Sequence, residues 1–135
     1  MRIRTLFSIL AGAGLAACGG GGDGGGGGPN PTPGTLEVIL TNAPTAPGAI
    51  MFTVSGGQID DVSSTYTGYE SATAANSRKI LLTGALVAGT VATIDVPDIA
   101  AVDNYVVQVL QVAARGTAAV PYANLGTVNF TMDVQ

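Results

Sequence analysis

The stretch TVNFTMDV, residues 127–134, alternates without a break. Val128, Phe130, Met132 and Val134 are apolar, and Thr127, Asn129, Thr131 and Asp133 between them are polar. Successive side chains of an extended strand point to opposite faces, whereas a helix would scatter this set around its axis. The stretch therefore predicts a half-buried strand, with the apolar set inward and the polar set in water.

The same period of two recurs upstream. Leu36, Val38 and Leu40 are set against Glu37 and Thr41, Ile50, Phe52 and Val54 against Thr53 and Ser55, and Ala92, Ile94 and Val96 against Thr93 and Asp95. Residues 78–83 and 58–62 are predicted as shorter strands. Residues 105–112 (YVVQVLQV) are apolar on both faces, the pattern of a central strand. Turn signals separate these runs at residues 43–48 (APTAPG), Gly56-Gly57, Gly84, Gly89, Pro97-Asp98 and Gly116. Gly-Thr opens segments at Gly34, Gly89, Gly116 and Gly126, at irregular spacing, so it is punctuation and not a repeat. Residues 98–103 offer at most one helical turn, and the polar stretch SSTYTGYESATAANS, residues 63–77, reads as a loop. About seven to nine short strands at this spacing predict an all-β fold, an antiparallel β-sandwich. The Cys…Trp…Cys core of antibody domains is absent, because the chain has one Cys and no Trp.

Three segments carry a resemblance. APGAIMFTVSGGQIDDVSS (46–64), RKILLTGALVAGTVATIDVPD (78–98) and NYVVQVLQVAARG (104–116) follow one another in a strand pattern that resembles cohesin-like modules and related carbohydrate-binding sandwiches. The resemblance extends over residues 36–134 and is one of strand order, without a catalytic motif. It implies an Ig-like or cohesin-like jelly-roll sandwich whose class of activity is binding, to a protein or a polysaccharide. The chain is shorter than typical cohesins, and no dockerin-contacting surface maps onto it.

The N-terminus carries a different signal. Arg2 and Arg4 precede an apolar run of small residues, 6–17, that ends in Leu15-Ala16-Ala17-Cys18. The run suits the h-region of a signal peptide and is too short to span a bilayer, which needs about 20 residues. Leu, two small residues and Cys in this setting resemble a bacterial lipobox. The resemblance implies cleavage between Ala17 and Cys18, thioether lipidation of Cys18 and acylation of the new N-terminus. Each buried CH₂ contributes about 0.8 kcal/mol and one chain holds only marginally, so several chains make a stable membrane anchor. Gly19 follows the cysteine where Asp would favour inner-membrane retention, so the outer membrane of a bacterial cell envelope is the expected address.

The tract from Gly19 to Gly28 is interrupted only by Asp23, and Pro29-Asn30-Pro31-Thr32-Pro33 follows. Such a tract has nothing to bury and is expected to be disordered. With no Lys-Ser/Thr after it, it does not read as a phosphate loop. Coil statistics give it a mean reach of roughly 20–25 Å. The expected organisation is a signal peptide over 1–17, a lipid-anchored Gly/Pro-rich linker over 18–34 and a β-sandwich over 35–135.

Composition narrows the chemistry. The chain has no His, which removes His-based general bases, Ser-His-Asp and Cys-His pairs, and His-ligated metals. Its single Cys cannot form an internal disulfide. Five basic residues less Arg2 and Arg4 leave three against nine acidic ones, a net charge of −6 for the mature chain. An acidic surface without a basic patch excludes nucleic acid as a partner. Asp60, Asp61 and Glu70 are carboxylates close in sequence, read as solvated loop acids before a glycosidase pair. Asp95, Asp98 and Asp103 lack the dense spacing of a calcium loop and read as turn and capping residues. Tyr66 and Tyr69 are more readily sheet-edge packing than a sugar platform, and Arg78-Lys79 reads as a strand-edge gatekeeper.

The sequence thus predicts a lipid-anchored envelope protein displaying a small non-catalytic sandwich that binds protein or polysaccharide or is structural. The alternative is an accessory subunit or small-ligand carrier of a periplasmic complex. No enzyme activity, catalytic residue, cofactor or metal site is expected.

Overall fold

In the computed structural model, which describes residues 29–115 and 123–135, the alternating runs pair into two sheets. The strands in chain order are β1 (Gly34–Asn42), β2 (Pro47–Ser55), β3 (Asp61–Ser63), β4 (Thr67–Ala74), β5 (Ser77–Thr83), β6 (Gly89–Val96), β7 (Val106–Ala114) and β8 (Thr131–Val134). A 3-10 helix, Ile99–Asn104, precedes β7. The first sheet has the order β3-β6-β1-β8 and the second β4-β5-β2-β7. All pairings are antiparallel. The fold is the all-β sandwich that the alternation predicts.

The pairs nest: β1 with β8, β2 with β7, β3 with β6, and β4 with β5. The nesting is that of a folded ribbon, as in a jelly roll, but the sheet orders differ from a jelly roll's because β1–β6 and β2–β5, not β3–β8 and β4–β7, join the pairs. Pairings β1–β6 and β2–β5 complete the two sheets. The chain changes sheet at every connection except the β4–β5 hairpin.

The alternating apolar residues fill the space between the sheets. Val38 and Leu40 from β1, Phe52 and Val54 from β2, and Ile94 from β6 have no exposed surface. Each such side chain contributes on the order of 1.5–3 kcal/mol relative to full exposure. Leu86, between β5 and β6, is equally buried, and its N–H donates to the Pro47 carbonyl at 3.1 Å.

Four expectations are corrected. The terminal strand is only β8: Phe130 and Val134 are buried, but Val128 is 91% exposed. Gly126 adopts a positive φ of 70°, and Phe130 N donates to Thr127 O at 3.0 Å, so residues 127–130 form a turn instead of a strand. The segment YVVQVLQV, from Val106 on, lies in β7, an edge strand, not a central one, and its Val106 and Leu110 are exposed. The stretch 63–77 read as a loop contains all of β4 and the start of β5. The expected strand over 58–62 is displaced to Asp61–Ser63, while Ile59 is buried just outside it. The expected turn at Gly116 lies outside the described residues.

The linker joins the sandwich at one pole. Thr32 N donates to Asp98 Oδ1 at 3.2 Å, and Ile99 N donates to Thr32 O at 2.9 Å. Residues 32–34, expected to belong to a free linker, are therefore docked or part of β1. Asp98 also accepts from Ala100 N at 3.1 Å, capping the 3-10 helix. Gly34 pairs with Val96 at this pole, and Leu40 with Gly89 near the opposite one.

Candidate functional site

One side of the sandwich is incomplete. The two edge strands there, β3 and β4, differ in length: three residues against eight. With so short a strand facing it, β4 is exposed at every position, on both of its faces. Gly68 and Glu70 lie opposite the buried Leu82 and Ile80, so they stand on the inward side of β4. Tyr69 lies opposite Leu81, which lies opposite Met51, which lies opposite Gln111, so these four form one rung on the outer face of the second sheet.

The connection between β3 and β4 is held by Ser64. Its hydroxyl donates to the Val91 carbonyl at 2.6 Å and accepts from Tyr66 N at 3.0 Å. The Tyr66 ring is partly buried against the core, as the edge-packing reading predicts, whereas Tyr69, read the same way, is 66% exposed. Between this connection and β4 lies a cleft of about 200 Å³, whose lining includes Val62, Ser64, Tyr66, Tyr69, Glu70 and Leu82. A second depression of about 240 Å³, bordered by Thr65, Thr90 and Thr93, lies on the other side of Ser63 and Ser64. A third, of about 200 Å³, is an apolar hollow over Ala49, Met51, Leu81 and Ala113 on the outer face of the second sheet.

Among the described residues the carboxylates gather into no group of three, although Asp61 and Asp95 face each other across β3 and β6. Asp60 accepts from Gln58 Nε2 at 2.7 Å, and Asp61 sits in β3 opposite Asp95. Glu70 lies apart from them on β4, at the mouth of the cleft. Asp95 accepts from Thr35 Oγ1 at 2.7 Å, and Asp98 has the capping role already described. Among the described residues no group of three His, Cys, Asp or Glu side chains could hold a metal ion. Arg78 is not an edge gatekeeper. It lies on β5, an inner strand, and donates to the Ala74 carbonyl at 2.9 Å and the Ile59 carbonyl at 2.6 Å, tying the β4–β5 hairpin to the loop before β3. The lipidation and cleavage residues, Cys18 and Ala17, lie outside the described residues.

The feature that sequence reasoning missed is β4 itself. Its one available signal was the two-residue connection Ala75-Asn76, a hairpin-type spacing just before the alternating run of β5. No protein family matches the chain, and no curated protein or solved structure is similar to it at a significant level.

Proposed function

We propose that this protein is a lipid-anchored component of the bacterial cell envelope, held at the outer membrane through Cys18, that displays a non-catalytic sandwich for binding a protein or polysaccharide. The observation that carries the binding reading is β4, eight residues exposed throughout beside a cleft lined by Tyr66 and Glu70. The clefts, at about 200 and 240 Å³, are smaller than the roughly 300–1,000 Å³ of typical small-molecule pockets, which favours a macromolecular partner over a carried small ligand. The anchor reading is supported by Arg2, Arg4 and the run ending in Leu15-Ala16-Ala17-Cys18. Membrane fractionation tests it. The wild-type chain is expected in the detergent-extractable membrane fraction and Cys18→Ala in the soluble one, with unchanged thermal unfolding. A Cys18→Ala chain that still sediments with membranes overturns the anchor.

A further inference from the structure

A sheet edge presents a row of backbone N–H and C=O groups that some partner or water must satisfy. Two of the four edges here are short, and a third is covered at one end. β3 has three residues and β8 four. β7 is long, and Ala114 N donates to Ala123 O at 2.8 Å and Leu125 N donates to Val112 O at 3.0 Å, so residues 123–125 cover its end at 112–114, while the open part, 106–111 (VVQVLQ), carries no charge. β4 is long, fully exposed, and pairs with no described residue except those of β5. It contains no Pro and no Lys, the residues that commonly blunt such an edge. Its single charge is Glu70, on the side that faces the cleft.

We propose that β4 is a strand-addition site for an extended segment of another protein, one that carries a Lys or Arg side chain beside Glu70. Next to that cation, a small or apolar side chain of the incoming strand enters the cleft of about 200 Å³ between Tyr66, Val62 and Leu82. Main-chain hydrogen bonds then supply affinity, and the alternate side chains supply selectivity. This rests on reading the domain as a binding module and names the partner of that same site.

Charge selects the occupant. A neutral or acidic strand would leave the Glu70 carboxylate covered without a counter-charge, whereas a cation pairs with it. A second copy of this chain fits poorly: β4 against β4 offers only glutamates, from a mature chain with nine acidic and three basic residues. Arg78 and Lys79 belong to β5, which is already paired on both sides. A polysaccharide would make no use of the row of main-chain groups along β4, and of the two tyrosines at the cleft Tyr66 is partly buried and only Tyr69 is exposed.

The test uses the full lipidated chain in detergent micelles and follows amide hydrogen exchange. The probe is a blocked peptide that alternates threonine and valine, carries one central lysine and is long enough to span β4. Comparators are the same peptide with glutamate for lysine, the lysine peptide N-methylated along its backbone, and a cello-oligosaccharide. The lysine peptide is expected to slow exchange at outward-facing amides of residues 67–74, the glutamate peptide to bind about ten-fold more weakly, and the N-methylated peptide not to bind. Glu70→Lys should reverse the lysine–glutamate preference, and Glu70→Gln should abolish it. Equal binding of the N-methylated peptide, or an unchanged preference in both variants, overturns the proposal. So does protection of β4 that appears with rising protein concentration alone. If the oligosaccharide protects the site and the peptide does not, strand addition is wrong while the binding reading stands; if neither binds, both fall.

Discussion

The hydroxyl of Tyr105 donates to the Gln58 carbonyl at 2.7 Å, joining the start of β7 to the loop before β3 across 47 positions of chain. The ring is buried beneath that loop, and burial raises the phenol's pKa above its ordinary value of 10.0, with the Asp60 and Asp98 carboxylates pushing the same way. The folded state therefore favours the neutral phenol, and the unfolded chain ionises first as pH rises. This stabilisation is fully present below pH about 10 and is lost as pH climbs through the raised folded-state pKa. Tyr105→Phe should cost about 0.5–1.5 kcal/mol at neutral pH and flatten the decline on the alkaline side. Urea unfolding at neutral and alkaline pH checks both; a decline as steep in the variant as in the wild type would assign the loss to other groups.

Phe130 and Val128 separate the observed turn from the strand that alternation alone would draw. Phe130→Ala should cost about 3–5 kcal/mol, as expected for a buried aromatic, a large share of the roughly 5–15 kcal/mol available to a domain. Val128→Ala, at a side chain 91% exposed, should change stability by no more than about 0.5 kcal/mol. Comparable losses at both positions in denaturant melts would mean that residues 127–130 are strand after all.

Gly56 has a φ of 119°, and a Cβ there would run into the Asn104 carbonyl. Gly56→Ala should therefore destabilise by more than the roughly 1 kcal/mol usual for a conformational glycine, because steric overlap adds to backbone strain. A melting temperature unchanged from the wild type would show that the two loops move apart freely.

Asp98→Ala removes one carboxylate oxygen that accepts from both Thr32 N and Ala100 N. The loss of a cap of this kind costs about 1 kcal/mol. Amide exchange should accelerate at Thr32, Ile99 and Ala100 while β1 and β6 keep their protection. Unchanged exchange at Thr32 would show that the Ile99 N–H bond alone holds the linker.

The inner strands were legible because burial writes period two into a sequence. In β1, β2 and β6, the residues that alternate in the chain are those that meet between the sheets. β4 left no such trace because nothing covers either of its faces: TGYESATA is polar or small apart from Tyr69, which is itself exposed. The strand most open to a partner was for the same reason the least readable. β7 misled in the opposite sense. Its apolar outward residues, Val106 and Leu110, belong to an exposed sheet face shared with Met51 and Leu81, so hydrophobicity on both sides did not signify a central position. The turn at Gly126 displaced Val128 because alternation carries no information about where pairing stops.

The docking of Thr32 has a mechanical consequence. In a chain anchored at Cys18, tension between the membrane and a partner on β4 would first load the Thr32–Asp98 and Ile99–Thr32 contacts, and then β1. β1 is bonded to β6 on one side and β8 on the other, so a pull applied at Gly34 along the strand axis would act on both ladders. Force in that direction shears two rows of hydrogen bonds together instead of peeling one row bond by bond. The strand that receives the strain is thus the one whose extraction requires most of the first sheet to yield at once.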